Sequence, residues 1–83
     1  MNAIDCSPAL LRETVRLALP PGWTYERALS ATAIFLGVSS RIPSITADER
    51  ERLLLSICTD LCGGNKHAGS ILANDVIYGG GYE

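Results

Sequence analysis

The sequence predicts an all-α fold, a small helical bundle of three main helices (about 7–19, 24–38 and 47–62) plus a shorter C-terminal helix (about 66–78). Two observations lead there. Apolar side chains recur three and four residues apart in successive stretches, which is the period of an amphipathic helix. Each stretch is also bracketed by residues that start and stop helices, with Ser, Thr or Asn before it and Gly or Pro after it.

The first helix opens on Ser7-Pro8, where a serine oxygen accepts from a free N–H and proline occupies a position whose donor has no partner anyway. Leu10, Leu11, Thr14, Val15, Leu17 and Ala18 fall on one broad face, opposite Arg12, Glu13 and Arg16, and Pro20-Pro21-Gly22 ends it. In the second helix Thr24 is the cap and Glu26 suits the positive end of the helix dipole. Its polar strip, Glu26, Arg27 and Ser30, is narrow, while Leu29, Ala31, Ala33, Ile34, Phe35 and Leu36 surround the rest. A helix apolar on most sides is buried on most sides, so this one is expected at the centre of the bundle. Trp23 and Tyr25 stand at its entrance, where they are expected to pack with their polar tips exposed. Residues 37–45, rich in Gly, Ser and Pro, read as a loop.

Thr46-Ala47-Asp48-Glu49 fits a capping box at the start of the third helix. Leu53, Leu54, Leu55, Ile57, Cys58, Leu61 and Cys62 cover more than half of its circumference, and Gly63 stands where a left-handed terminating residue belongs. Asn65 then caps the fourth helix, on which Ala68, Leu72, Ala73, Val76 and Ile77 share a face and Gly69 permits close approach of a neighbour. A short strand over residues 75–78 is the alternative, because Val-Ile-Tyr favours strands. The second and third helices are expected to form the core, and 79–83 a flexible Gly-rich tail.

A chain of 83 residues holds one domain, 1–83. At that size burial is modest, and disulfides, a metal or a partner commonly supply the missing stability. Apolar residues make up 47% of the chain and charged residues 19%, so it has apolar surface to spare and is no disordered segment. The formal charge is −2, with seven basic residues scattered among nine acids. Nucleic-acid binders gather their basic residues into a stripe and are basic overall, so this pattern weighs against DNA and RNA. The beginning Met-Asn-Ala-Ile-Asp lacks the basic and apolar parts of a signal peptide, and the longest apolar stretch, 31–38, is too short to span a bilayer. With three cysteines, Cys6, Cys58 and Cys62, a disulfide framework is poorly served, and a reducing, cytoplasmic setting is expected.

Cys58 and Cys62, followed by His67, make a small zinc site one alternative. Zinc knuckles more often hold their sulfurs at a Cys-x2-Cys spacing, and a Cys-x3-Cys pair within a leucine-rich helix reads more simply as core. His67, Ser70 and Asp75 lie close in sequence but not at helical spacings that join all three as a catalytic set. Gly63-Gly64-Asn65-Lys66 has glycines and a lysine at a helix start, yet lacks the strand before and the Ser or Thr after the lysine that a phosphate loop requires. No catalytic residue, cofactor or metal is therefore expected.

Ala33, Gly37, Val38 and Ser39 resemble the turn of the helix-turn-helix family of DNA-binding regulators. The resemblance covers fewer than ten residues and implies a recognition helix through Arg41, Ile42 and Pro43 to Ile45. Pro43 within such a helix would cost roughly 3 kcal/mol.

The leading expectation is a non-enzymatic protein-binding module. Two helices carry apolar arcs wider than a small bundle needs, and surplus apolar surface marks a partner interface. The partner is expected to be a second copy, through a two-fold face on the third or fourth helix, or a heterologous protein. In the latter case the chain fits a phage or mobile-element inhibitor or adaptor that occupies a surface of a host protein complex. Glu49, Glu51, Asp60 and Asp75 would then face a basic target, with Trp23, Tyr25, Tyr78 and Tyr82 as aromatic anchors and Leu55 on the apolar arc of the third helix.

Overall fold

The computed structural model describes residues 8–78, and over these the chain forms four helices: α1 Pro8–Ala18, α2 Tyr25–Ser39, α3 Ala47–Leu61 and α4 Lys66–Tyr78. No strand occurs among the described residues, so 75–78 is helical and the all-α reading stands. The Ser7 cap, Cys6, Tyr82 and the 79–83 tail lie outside them.

The helix ends follow local chemistry. Thr24 Oγ1 accepts from the Arg27 N–H at 3.1 Å, and Asn65 Oδ1 accepts from the Ala68 N–H at 3.1 Å. At the start of α3 the capping box is complete. Thr46 Oγ1 accepts from the Glu49 N–H at 3.1 Å while Glu49 Oε1 accepts from the Thr46 N–H at 2.9 Å, which satisfies two donors that the helix leaves open. The end of α3 is a Schellman turn: the Gly64 N–H reaches back to the Thr59 carbonyl at 2.8 Å and the Gly63 N–H to that of Asp60 at 3.0 Å. That closure places Gly63 at φ 68°, a left-handed conformation that glycine adopts without a steric penalty.

The centre of the bundle is α4 and not α2. Ala68, Gly69, Ile71, Leu72, Ala73 and Asp75 are buried on it, and it packs against each of the other three helices. By contrast α2 buries only Tyr25, Ala28, Thr32 and Ser39. The physical reason is size. Three helices can surround a fourth only where its side chains are small, and Ala68, Gly69 and Ala73 supply that. At Gly69 a β-carbon would lie 2.6 Å from the Thr59 Cα and 2.8 Å from its nitrogen, so α3 and α4 touch backbone to backbone there.

Two further expectations change. Gly37, Val38 and Ser39 lie within α2, the connection to α3 begins only at Ser40, and residues 41–45 form turns. The turn and recognition helix implied by the helix-turn-helix resemblance are therefore not formed. In α1 Val15 is buried, as is Leu19 just beyond its end, but Leu17 is 71% exposed. The contacts of α1 run to α4 and α2, and its apolar residues form a narrower inner stripe than their number suggests.

Tyr25 does not keep its polar tip in water. It is buried and donates its hydroxyl hydrogen to Asp75 Oδ2, tying the first turn of α2 to the last turn of α4. A buried acceptor oxygen that loses such a donor is left without that hydrogen bond. Tyr25→Phe is therefore expected to lower stability by about 1–3 kcal/mol in urea melts. A change below a few tenths of a kcal/mol would mean that Asp75 is solvated after all.

Candidate functional site

The core closes without using the whole apolar content of the chain. On α2 the inward side carries Tyr25, Ala28 and Thr32, and the opposite side carries Ser30, Ile34 and Gly37, flanked by Ala31, Ala33 and Val38. Ile34 is 68% exposed and Val38 55%. No charged residue lies between Arg27 and Arg41. The Arg27 guanidinium sits 4.6 Å from the centre of the half-buried Trp23 ring, a cation–π contact that holds one end of this uncharged face.

On α3, Leu54 and Cys58 point inward and are fully buried. Leu53 and Ile57, one turn apart, remain exposed, with Glu49 a turn before them and Asp60 just after. The capping bonds from Thr46 hold the Glu49 carboxyl below its usual range. Glu49 is thus a fixed, ionised group at one end of that face.

The residues singled out from the sequence are not gathered at one place. Tyr25 and Asp75 are inside the protein, bonded to each other, and are removed from any exposed surface. Glu49, Glu51, Asp60 and Tyr78 are exposed. Leu55 is partly exposed and lines a groove of about 400 Å³ between α3 and α4, together with Glu51, Arg52, Ser70 and Asn74. Of the helices named for a two-fold face, α4 turns its apolar residues wholly or partly inward apart from Tyr78 at its end and leaves Lys66, His67, Ser70 and Asn74 outside, whereas α3 keeps Leu53 and Ile57 together on an outer face. The residues missed were Ile34, Val38, Leu53 and Ile57. Their signal was present in the helical spacing, but apolar periodicity does not say which of two apolar sides faces inward.

Among the described residues, His67, Ser70 and Asp75 are not brought together. His67 and Ser70 are exposed while Asp75 is buried. Cys58 and Cys62 are buried free thiols and His67 is not, and among the described residues no three His, Cys, Asp or Glu side chains are grouped to hold a metal. Burial, with a smaller contribution from neighbouring Cys62, pushes the Cys58 thiol from 9.0 up to about 12; burial raises Cys62 as well. These thiols are inert packing groups at neutral pH.

A pH dependence follows. The folded state holds the Cys58 proton to higher pH than the unfolded chain does. Its contribution to stability is therefore complete below pH 9 and declines as pH rises from 9 toward 12, where the unfolded state binds fewer protons. Urea melts between pH 8 and 11 should show a shallower decline for Cys58→Ala than for the parent protein. Equal slopes would refute a buried, neutral Cys58.

No family model, curated protein or solved structure matches this chain. Among the described residues no helix is long and apolar enough to cross a membrane.

Proposed function

We propose that this chain is a non-enzymatic protein-binding module whose working surface is the outer face of α2 together with the exposed apolar face of α3. One observation carries the reading: Ile34, Val38, Leu53 and Ile57 stay exposed although the core beneath them is complete. Apolar side chains grouped on helix faces gain by leaving water against another protein, at about 25 cal/mol for each Å² covered. The thiols, the histidine and the acids occupy separate places, which supports binding over chemistry. In this reading the chain acts as an inhibitor or adaptor, by covering a surface of its partner.

The test uses the protein and its Ile34→Glu and Leu53→Glu variants as immobilised baits, with circular dichroism to show that each bait is folded. The expected result is a protein retained in stoichiometric amount by the parent chain, this chain itself or another, and lost by both variants. Retention unchanged by either variant refutes the surface assignment.

A further inference from the structure

The other helices run round α4 in the order α1, α2, α3. Each packs against α4, α2 also touches both α1 and α3, and α1 and α3 do not meet. One side of α4 therefore stays open between α1 and α3. His67, Ser70, Asn74 and Tyr78 are exposed there and fall within about 80° of one another at 3.6 residues per turn.

Both neighbours turn leucines toward this gap. On α1 the side packed on the core carries Leu11, Val15 and Ala18. Arg12 lies roughly 100° to one side of that stripe, and Leu10 and Leu17 roughly 100–130° to the other. Arg12 and Arg16 line a recess with Trp23 and Tyr25, so their flank faces the start of α2. The leucine flank faces away from α2, over the gap, with Leu17 71% exposed and Leu10 52%. On α3, Leu55 is 41% exposed. It lines two adjoining recesses against α4, of about 400 and 410 Å³, which share Arg52, Leu55 and Ser70 and run from Ile77 to Lys66. That stretch is three turns of helix, roughly 17 Å.

The gap suits a helix. Its walls stand on opposite sides of α4, and a helix with its side chains is about 10–12 Å across. An amphipathic helix laid in a groove, anchored at helical spacing, is a recurrent mode of recognition. The segments of this sequence outside the described residues, 1–7 and 79–83, are each shorter than two turns and cannot fill three. The free apolar face around Ile34 belongs to α2, across α4 from the gap, so a second copy entering through it would dock head to tail and leave an unfilled surface at each end. Charge then selects the partner. Where α3 begins, Asp48 and Glu51 line the recess with Arg52 as the one base beside them, and the facing turns of α4 carry the uncharged Asn74, Ile77 and Tyr78. Among the described residues neither acid forms an ion pair.

We infer that the open side of α4 receives one amphipathic helix of another protein, with its apolar residues between Leu17 and Leu55 and a lysine or arginine against Asp48 and Glu51. The site lies away from Ile34 and Val38 and does not depend on the reading of those faces.

The probe is a fluorescein-labelled peptide of about 14 residues, four turns of helix, with leucines three and four apart and lysines flanking them. Its twin carries glutamate for lysine. Fluorescence anisotropy is expected to rise saturably as the parent protein is added to the lysine peptide, with the glutamate twin bound about tenfold more weakly or worse. Leu17→Gln combined with Leu55→Gln, both at exposed positions, should weaken the lysine peptide about tenfold or more while the helical spectrum stays unchanged. Asp48→Lys with Glu51→Lys should reverse the preference between the two peptides. Ile34→Glu, on the far side of α4, should alter neither. No saturable binding, equal affinity for the twins, or indifference to the leucine variant overturns the inference. So does loss of binding in Ile34→Glu, which would move the contact to the outer face of α2. A parent protein whose mass grows with concentration in light scattering, and stops growing with Leu17→Gln, would put a second copy in the gap instead and overturn the inference too. Bait retention lost with Ile34→Glu concerns the outer faces alone, so either reading can fail without the other.

Discussion

Replacing Gly69 by alanine is expected to destabilise the protein even though alanine is the better helix former. In an open helix the change would gain about 1 kcal/mol. Here the new β-carbon would lie 2.5 Å from the Thr59 Oγ1, 2.6 Å from its Cα and 2.8 Å from its nitrogen. A flexible side-chain tip could move aside, but two of these three atoms are backbone of α3. Relief requires α3 and α4 to separate, which loosens the packing around Leu54, Cys58 and Leu72. Forced overpacking costs about 1–3 kcal/mol and sometimes more. For a domain of this length a loss of 2 kcal/mol lowers Tm by roughly 8–16 °C.

Two controls isolate the cause. Gly37 lies in α2 with nothing within 4 Å of where a β-carbon would stand, so Gly37→Ala should stabilise by roughly 0.5–1 kcal/mol. The same substitution thus has opposite signs at two helical glycines. Thr59→Ala combined with Gly69→Ala should recover only part of the loss, because it removes Oγ1 and leaves the backbone contacts. Thermal melts of the four proteins decide it: full recovery in the double variant would show that the side chain alone sets the helix separation, and a stabilised Gly69→Ala would show that the helices do not touch there.

How far the sequence could be read depended on the range of the interaction. Caps are local, and Thr24, Thr46 with Glu49, Asn65 and Gly63 each perform the task their positions suggest. Gly69 was legible as a point of close approach, but its partner Thr59, ten residues away across a turn, was not. The order of burial was not legible either. The apolar character of α2 comes partly from Ala31, Ala33 and Gly37, which sit as comfortably on an exposed helix face as in a core. The smallness of Ala68, Gly69 and Ala73 suggested little to pack, and is what lets three helices reach α4. Asp75 shows the same limit. Its charge marked it as surface, and only the arrival of Tyr25 from fifty residues earlier in the chain makes its burial tolerable.

The placement of α4 at the centre has a second large consequence, at Leu72. That side chain is fully buried on the helix that packs most extensively against the others, whereas Ile34, on the helix that the apolar pattern favours as central, is 68% exposed. Truncating a buried leucine removes its transfer free energy and leaves a cavity that rigid neighbours only partly refill, so Leu72→Ala should cost about 2–5 kcal/mol. The total stability of a domain of this length is roughly 4–12 kcal/mol, so the variant stands near the edge of folding. Ile34→Ala, studied in solution dilute enough to keep copies apart, should change stability by less than about 0.5 kcal/mol. Urea melts of the two variants side by side therefore read out which helix is the centre. A costly Ile34→Ala with a mild Leu72→Ala would exchange the roles of α2 and α4, and would also place inside the protein the face on which the proposed binding surface depends.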